Sequence, residues 1–236
     1  MKGTSGHKAR GHSLIRFYPP ATAYTAQEPK MTQQNSNDVN HPSKWELDYQ
    51  HGTAGWDIGT PTPVFQRLLR EKTFPPGRML VPGAGRGHDA REFARHGFEV
   101  VAVDFARDAV DAMRALMDDA SRHEILHHDL FQLPKELDAS FDYVLEYTCF
   151  CAIDPTRRGE YADVIARVLK RGGRYIALAL PLDEHVGGPP FAVNADELVA
   201  LMEQRGLKLL HREFPPDSIT PRKGREELLM MEKMVE

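Results

Sequence analysis

Three closely spaced glycines and one acidic residue give this chain its clearest chemical signal. Gly83, Gly85 and Gly87 follow the apolar stretch Arg78–Val81 at intervals of two residues. Glycine allows positive φ angles and lets a ligand approach the main chain closely, and the start of a helix offers unpaired backbone N–H groups. Asp104 ends the next apolar stretch, where an acid in a βαβ unit commonly binds the ribose hydroxyls of an adenosine cofactor. The pattern therefore predicts a site for a nucleoside-type cofactor.

The spacing of the glycines narrows the class of cofactor. A dinucleotide fingerprint places its third glycine three residues after the second, and His88 stands there in this chain. The spacing G-x-G-x-G is instead similar to the first motif of S-adenosylmethionine (SAM)-dependent methyltransferases, whose cofactor carries no phosphate. A nucleotide-dependent oxidoreductase is the alternative from another class, and an ordinary strand–helix turn is the interpretation without a ligand.

Neither the cysteines nor the histidines predict a metal site. Cys149 and Cys151 are the two cysteines of the 236-residue chain, and two cysteines alone do not form a zinc site. His127 and His128 are adjacent on a predicted strand, so their side chains point to opposite faces. The position of the cysteines at an apolar strand end favours packing over nucleophilic catalysis. Their scarcity indicates a reducing compartment, and we expect a cytoplasmic protein.

Composition and charge argue against several classes of partner. The 30 basic and 34 acidic residues give a net charge of −4, which does not favour nucleic acid or a membrane surface. No apolar run reaches the roughly 18 residues that a membrane-spanning helix requires. We therefore expect a small-molecule substrate, and a monomer or weak homo-oligomer.

Residues 1–40 differ from the rest in composition. They are rich in Gly, Ser, Thr, Gln, Asn and Pro and lack helical or strand periodicity, so we expect a disordered extension. The absence of acidic residues up to Gln27 is compatible with a transit peptide, but an upstream start that precedes Met31 explains the stretch more simply. Residues 41–236 are long enough for one methyltransferase domain.

Strand and helix patterns alternate from Trp45 onward. The predicted strands are Arg78–Val81, Glu99–Asp104, Glu124–His127, Phe141–Glu146, Arg174–Leu180, Leu207–Phe214 and Glu226–Met234. The predicted helices are Pro63–Lys72, Asp89–His96, Arg107–Asp119, Thr156–Lys170 and Asn194–Gln204, the fourth of them ended by Gly172-Gly173. This alternation predicts an α/β fold with a mostly parallel seven-stranded sheet and helices on both faces. A terminal antiparallel hairpin is typical of the Rossmann-like class I methyltransferases, and the ligand of such a sheet lies at the carboxyl ends of its strands.

Three parts of the chain together resemble the thiopurine S-methyltransferase superfamily, and most closely its halide/thiol methyltransferase branch. The first is Leu80–Asp89, and the second consists of two nearby stretches, Trp45–Tyr49 and Thr53–Gly59. The third is Leu145–Ala162. The W-D-x-G pattern that starts at Trp56 and the Y-T-x-F-C-A-I-x-P-x-x-R pattern that starts at Tyr147 are specific to the superfamily, whereas the glycine loop is not. The resemblance covers roughly residues 45–234.

The resemblance implies a set of cofactor residues and two residues at the methyl acceptor. The implied SAM-binding residues are Trp45, Trp56, Gly59, Gly83, Ala84, Gly85, Asp104, Asp129, Leu130 and Glu146, with Phe131 beside them. Asp104 would hold the ribose hydroxyls, and Asp129 would contact adenine. Glu146 and Tyr147 would face the cofactor and the acceptor. Tyr147 and Arg158 are the implied catalytic residues, which would orient and stabilise an arriving anion.

Several of these residues also have a structural interpretation. The tryptophans are candidates for core packing, although an aromatic face also attracts the sulfonium cation of SAM. Asp104 is suited to cap the following helix, and Asp129 to form a turn. Arg158 lies in the first turn of a predicted helix, where a cation is unfavourable, and this mildly indicates a special role. Arg157 is expected to face solvent.

The function implied by the resemblance is transfer of the methyl group of SAM to a small soft nucleophile, with S-adenosylhomocysteine as product. Hydrogen sulfide, methanethiol and other thiols are the expected acceptors, with halide, thiocyanate and selenol as further candidates. Aromatic or heterocyclic thiols are the alternative, and a non-catalytic SAM-binding protein is a further one. Glu146 stands where the family usually has Asp, and Cys149 stands where it often has Phe. The second departure alters the predicted acceptor pocket.

The expected reaction is an in-line displacement that needs no strong base, because hydrosulfide and acidic thiols are substantially ionised near neutral pH. Alignment of the nucleophile and exclusion of water would then carry catalysis. Phe150, Ile153, Pro190 and Phe191 are candidates for the apolar pocket. The stretch Leu182–Ala192 is rich in Gly and Pro, and it is suited to form either a lid over the acceptor or an exposed crossing loop.

Overall fold

Helices and strands alternate along the residues that the computed structural model describes, 38–121 and 123–235. The strands are β1 (Arg78–Pro82), β2 (Glu99–Asp104), β3 (Glu124–His127), β4 (Phe141–Tyr147), β5 (Leu169–Ala179), β6 (Leu207–Glu213) and β7 (Glu227–Lys233). The helices are α1 (Pro42–His51), α2 (Pro63–Arg70), α3 (His88–Arg95), α4 (Arg107–Leu116), α5 (Arg158–Val168) and α6 (Ala195–Glu203). Short 3₁₀ turns join several of these elements.

The strands form one seven-stranded sheet with the order β3-β2-β1-β4-β5-β7-β6. The pairs β1–β2, β1–β4, β2–β3 and β4–β5 are parallel, whereas β7 runs antiparallel to both β5 and β6. The predicted fold, a mostly parallel sheet with an antiparallel terminal pair, is confirmed.

Apolar side chains cover both faces of the sheet because successive residues of a strand point to opposite sides. On β1, Met79 and Val81 pack with residues of α2 and α3, while Leu80 belongs to the cluster that contains residues of α5 and α6. Strands buried on both faces read as near-continuous apolar runs, which is the pattern that made the central strands predictable. The helices lie on both faces, as expected.

The order of the strands reverses at β1. From β1 the sheet continues to β2 and β3 on one side and to β4 and β5 on the other. The connections after β1 and β4 therefore diverge and leave a crevice at the carboxyl edge of the sheet. Pro82, Asp104 and Tyr147 end β1, β2 and β4 at this edge.

The glycine pair after α5 differs from the prediction. Helix α5 ends at Val168 and β5 begins at the next residue, so Gly172-Gly173 lies inside a strand and does not end a helix. A Cβ atom on Gly173 would lie 2.9 Å from the carbonyl oxygen of Lys170 and 3.0 Å from that of Phe141. The missing side chain permits this close approach at an irregularity in the β4–β5 pairing.

One additional helix and one further helix boundary differ from the prediction. Helix α1 was not predicted, and only Ser43 and Trp45 of its ten residues are buried, so it carries little apolar periodicity. Helix α4 ends at Leu116 and not at Asp119. The Ser121 amide donates to Oδ1 of Asp118 at 2.8 Å, and this bond closes a separate turn.

The predicted disordered extension, residues 1–40, lies outside the described residues except for its last three. Within the described part of the chain, no helix is long and apolar enough to cross a membrane. The same residues contain no group of three or more His, Cys, Asp or Glu side chains arranged to hold a metal ion.

Candidate active site

A cavity of about 830 Å³ lies at the carboxyl edge of the sheet, at the crevice between β1 and β4. Its walls come from α1 and the segment after it, from the ends of β1 to β5, and from the turn before β7. Six of the predicted cofactor residues line this cavity: Trp45, Trp56, Gly83, Asp104, Asp129 and Leu130.

The glycine loop adopts a conformation that side chains disfavour. The φ angles of its three glycines lie between 55° and 68°, in the left-handed region. A Cβ atom on Gly83 would lie 2.8 Å from Sγ of Cys149, and one on Gly85 would lie 3.1 Å from the Tyr49 hydroxyl. Gly83 lines the main cavity, whereas Ala84 and Gly85 line a smaller adjoining cavity of about 60 Å³. The loop is therefore pressed between the turn after β4 and helix α1.

Asp104 joins the end of β2 to the glycine loop. Its Oδ2 accepts a hydrogen bond from the Gly85 amide at 2.9 Å, and its Oδ1 accepts one from the Ala106 amide at 2.9 Å. Burial of the carboxyl group raises its pKa to about 6, although these amide donors oppose the shift. The structural role is compatible with the predicted ligand role, because each carboxylate oxygen can accept a further hydrogen bond.

Three aromatic rings line the N-terminal side of the cavity. The Trp56 ring packs edge-on against Trp45 at a centroid distance of 5.4 Å and against Tyr49 at 5.5 Å. Nε1 of Trp56 donates to the Tyr49 hydroxyl at 3.3 Å. Burial, followed by the negative charge of Asp104, raises the pKa of Tyr49. Aromatic faces next to a carboxylate are suited to hold a cation.

The turn after β3 brings a basic residue to the cavity. Asp129 caps this turn, since its Oδ1 accepts a hydrogen bond from the Phe131 amide at 2.9 Å. Phe131 also lines the cavity, and the Arg157 guanidinium lies 3.7 Å from its ring centroid. Arg157 lines the cavity and is also partly exposed to solvent, where it forms an ion pair with Glu160. Stacking on an aromatic ring holds the guanidinium inward.

Glu146 does not line the cavity, and its carboxyl group is used inside the protein. The side chain is 2% exposed, and its Oε1 accepts hydrogen bonds from the Phe150 amide at 2.7 Å and the Cys149 amide at 3.1 Å. Its Oε2 accepts one from the Tyr161 hydroxyl at 2.7 Å. Burial raises the pKa of Glu146 to about 7. The carboxylate holds the turn after β4, where Thr148 has a φ of 61°.

Tyr147 is likewise held by protein groups. Its hydroxyl donates to Oε2 of Glu226 at 2.8 Å and accepts a hydrogen bond from Nη1 of Arg222 at 2.6 Å. Burial and the neighbouring Glu226 charge raise the pKa of Tyr147. The residue lines the smaller cavity and not the main one. Arg222, which lines the main cavity, also donates through Nη2 to the carbonyl oxygen of Trp56 at 2.9 Å.

Two other predicted site residues, Arg158 and Gly59, line neither cavity. Nη2 of Arg158 donates to the Ala192 carbonyl oxygen at 2.9 Å, and its guanidinium lies 4.7 Å from the Phe150 ring centroid. These contacts tie the start of α5 to the loop after β5 and explain a cation in the first turn of that helix. Gly59 is exposed and has a φ of 73°, and its amide donates to Oδ1 of Asp57 at 2.7 Å.

Part of the cavity lining is apolar. Cys149, Cys151, Ile153 and Pro190 line it, whereas the other two predicted pocket residues, Phe150 and Phe191, do not. Burial raises the pKa of Cys151 to about 12 and holds that of Cys149 well above its usual range. Both thiols are therefore neutral at physiological pH, and they act as packing groups.

The donors and shapes around this cavity fit SAM. The glycine loop lets a ligand approach the main chain, Asp104 offers carboxylate lone pairs to a ribose, and the three aromatic rings suit a sulfonium cation. Together the sheet order and the site define a class I SAM-dependent methyltransferase.

The chain belongs to the thiopurine S-methyltransferase (TPMT) family, which matches residues 40–234. It is 34% identical over 192 residues to probable thiol methyltransferase 2 of Arabidopsis thaliana, a match that covers 80% of this chain and 84% of that protein. The chain is also 34% identical over 188 residues to thiocyanate methyltransferase 1 of the same plant, a match that covers 78% of this chain and 82% of that protein. The fold is similar to that of a Burkholderia thailandensis 1,6-didemethyltoxoflavin-N1-methyltransferase with bound S-adenosylhomocysteine, with a TM-score of 0.64 and 20% sequence identity. The match covers 89% of this chain and 94% of that one. The protein is a SAM-dependent S-methyltransferase.

Sequence reasoning missed three residues of the site. Tyr49 lies four residues after Trp45 on α1, and this spacing puts two side chains on one helix face, so it was available as a signal. Arg222 and Glu226 carried none, because they contact Trp56 and Tyr147 only through the tertiary fold.

Proposed function

We propose that this protein transfers the methyl group of SAM to small thiols and other soft anions. Hydrogen sulfide and methanethiol are the principal acceptors of this proposal, and thiocyanate, halide and selenol are further ones. The observation that carries it is one cavity whose lining combines Asp104, three aromatic rings, a set of apolar side chains and the cation Arg222. The thiol and thiocyanate acceptors in the names of the two plant relatives support the same class of substrate.

The cofactor half of the cavity has a residue for each part of SAM, which supplies a methyl group on a positively charged sulfur. Trp45 and Trp56 would face the sulfonium, and Gly83 would lie against the methionine part. Asp104 would accept hydrogen bonds from the ribose hydroxyls, and Asp129 with Leu130 would border adenine. All six residues line the cavity.

The acceptor half would act by excluding water. Ile153, Pro190 and the neutral thiol of Cys149 offer an anion no hydrogen bond strong enough to replace its hydration shell. A poorly solvated thiolate is a stronger nucleophile, and fixing it in line with the methyl group removes much of the entropic barrier. Arg158 does not line this region, and Tyr147 contacts it through Arg222.

Methylation of aromatic or heterocyclic thiols is the second candidate. The cavity of about 830 Å³ lies toward the upper end of the range for small-molecule sites, roughly 300–1,000 Å³. Such a volume favours an acceptor with one ring beside the cofactor, as in thiopurine methylation.

Headspace gas analysis of the purified full chain tests the proposal. The protein is given SAM and, in separate vials, sulfide, methanethiol, iodide or thiocyanate, with heat-denatured protein as the blank. Methanethiol from sulfide and dimethyl sulfide from methanethiol, formed faster than iodomethane, are the expected products. If calorimetry shows SAM binding but none of the four acceptors yields a methylated product, the small-anion proposal fails and an aromatic thiol is offered next.

We also propose a reducing, cytosolic location. Cys149 and Cys151 are both free thiols, and Cys151 is buried. Persistent disulfides are typical of oxidising compartments, so a protein that keeps its thiols free suits a reducing one. Fractionation of the source cells, with immunodetection of the protein in each fraction, checks this location.

A further inference from the structure

Among the lysine and arginine side chains that line the main cavity within the described residues, Arg222 has a distinct electrostatic setting. The others form ion pairs: Lys44 with Asp48, Arg157 with Glu160, and Arg225 with Asp183. No carboxylate oxygen in the described part of the chain lies within ion-pair distance of Arg222. Among the lysines and arginines described at this cavity, Arg222 is therefore the one without an ion pair, and the nearby Glu226 carboxylate reaches it only through the Tyr147 hydroxyl.

The contacts of Arg222 leave most of its hydrogen-bonding capacity unused. Nη1 donates to the Tyr147 hydroxyl at 2.6 Å and Nη2 donates to the Trp56 carbonyl oxygen at 2.9 Å, and both acceptors are neutral. A guanidinium carries further N–H donors in a fixed planar fork. The two contacts hold the plane of the guanidinium at the cavity wall, so the remaining donors are available to a ligand.

Tyr147 and Glu226 form a hydrogen-bonded chain that holds the Arg222 guanidinium in place. The single proton of the Tyr147 hydroxyl is donated to Oε2 of Glu226, so the oxygen can accept from Arg222 but has no proton left for a substrate. Glu226 is 1% exposed, and Arg222 lies close enough to stabilise its negative charge. The carboxylate thus acts on Arg222 through the phenol, and it leaves the guanidinium edge at the cavity uncovered.

We propose that Arg222 binds the anionic methyl acceptor, a thiolate or a soft inorganic anion, and that Tyr147 and Glu226 are positioning residues that hold its guanidinium. This assignment rests on the function proposed above. It replaces Arg158, which does not line the cavity and whose guanidinium contacts the Ala192 carbonyl oxygen and the Phe150 ring.

The chemistry of the step follows from the position of the charge. A thiol that enters the site releases its proton to water, because the nearby cation stabilises the thiolate relative to the thiol. The thiolate lone pair then forms the new S–CH₃ bond while the bond between the methyl carbon and the sulfonium sulfur of SAM breaks. The electron pair of the broken bond stays on that sulfur, which leaves as the neutral thioether of S-adenosylhomocysteine. Thiocyanate and iodide need no deprotonation.

Steady-state kinetics with thiocyanate and methanethiol test the assignment. In Arg222→Gln the KM for thiocyanate should rise roughly 10- to 100-fold, as expected for loss of a charge-assisted hydrogen bond. The Kd for SAM, measured by calorimetry, should change less than threefold, and Arg222→Lys should recover part of the loss. Arg114→Gln removes an exposed guanidinium on α4 and should leave every parameter unchanged.

The pH profile separates a bound anion from a structural defect. In Arg222→Gln the rise of kcat/KM with pH for methanethiol should move to higher pH, because the site no longer favours the thiolate. Thiocyanate remains an anion at every pH used, so its profile should shift little. Tyr147→Phe should raise the KM for both acceptors less than Arg222→Gln does, because it removes a support and keeps the cation.

Iodide supplies a readout without turnover. A crystal of the S-adenosylhomocysteine complex soaked in iodide should show an anomalous scattering peak within hydrogen-bond distance of the Arg222 guanidinium, and the peak should be absent in Arg222→Gln. An unchanged KM in Arg222→Gln, or a loss confined to Arg158→Gln, would overturn the assignment while the proposed function stands. If the wild-type protein methylates no anion at all, the proposed function itself fails.

Discussion

At the residue scale, Glu146 and Trp56 show how two neighbours of one cavity take different roles. Glu146 directs its carboxylate to two backbone amides and the Tyr161 hydroxyl, and it is 2% exposed. Trp56 presents its ring to the cavity and uses its Nε1 on Tyr49. Replacement of the first should therefore alter folding stability, and replacement of the second should alter ligand binding.

Glu146→Gln should remove a pH dependence of stability. The native carboxyl takes up its proton near a pKa of about 7, and the unfolded one near its ordinary value of 4.5. Between these values the native state binds more protons, so the free energy of unfolding of the wild type falls as pH rises. The stability of Glu146→Gln relative to wild type should rise by about 2–3 kcal/mol from pH 4.5 to 7 and then level off.

Urea denaturation at a series of pH values measures this difference. The glutamine oxygen can still accept from the two amides that Glu146 holds, so the variant should fold and bind SAM within about threefold of wild type. A stability difference that is constant between pH 4.5 and 7 would contradict the buried, protonated carboxyl group.

Trp56→Leu should discriminate between the charged cofactor and its neutral product. The ring can stabilise a sulfonium by a cation–π interaction worth about 0.5–2 kcal/mol, whereas S-adenosylhomocysteine has no such charge. The Kd for SAM should therefore rise roughly 2- to 30-fold more than the Kd for S-adenosylhomocysteine. Calorimetric titration of both ligands gives the ratio, and Trp45→Leu is the matched variant for the neighbouring ring. Equal losses for the two ligands would assign Trp56 to packing alone.

At the element scale, the loop after β5 has fixed ends and an exposed middle. The Leu182 amide donates to the Arg225 carbonyl oxygen at 2.9 Å, and the Phe191 amide donates to that of Cys151 at 2.7 Å. Val186, between them, is fully exposed, while its segment also lines the cavity. A loop of this kind can open locally at little cost because few apolar contacts hold its middle.

Glu-C protease should cut this loop after Glu184, which is exposed. Saturating S-adenosylhomocysteine with thiocyanate should slow the cut, because ligands in the cavity hold the loop down. Asp183→Asn should speed it, since the ion pair with Arg225 joins the loop to the segment before β7. Mass spectrometry of the fragments measures the rate, with cleavage after the exposed Glu203 as the internal reference. A rate insensitive to ligand would make the segment a crossing loop with no lid function.

At this scale, features that depend on the local sequence were predicted, whereas contacts between residues distant in sequence were not. The central strands were predictable because both of their faces are buried, and Asp104 was predictable because the end of β2 has a fixed place beside β1. Gly172-Gly173 was assigned to a helix end because nothing local distinguishes a C-cap from a bulge. Arg222 could not be found, because its partners Trp56 and Tyr147 lie 166 and 75 residues away in sequence.

At the scale of the whole molecule, distant parts of the chain converge on the cavity. The Trp56 carbonyl oxygen of the N-terminal segment accepts from Arg222, which precedes β7, and Arg222 donates to Tyr147 at the end of β4. Asp104 ties the end of β2 to the glycine loop after β1. A ligand in the cavity is therefore positioned to contact the ends of β1 to β5 and the segment before β7, and its binding energy is linked to global unfolding.

This linkage predicts a thermal shift specific to the cofactor class. S-adenosylhomocysteine at 100 times its Kd should add about 2.7 kcal/mol to the free energy of unfolding. For a chain of this length that corresponds to a rise in Tm of roughly 5–10 °C, whereas NAD should give none.

Asp104→Asn should lose most of the shift, because an amide cannot accept from the Gly85 and Ala106 amides and the ribose hydroxyls together. Asp111→Asn, on the exposed side of α4, is the control that should retain it. Differential scanning fluorimetry gives all four values, and a full shift in Asp104→Asn would place the ribose elsewhere.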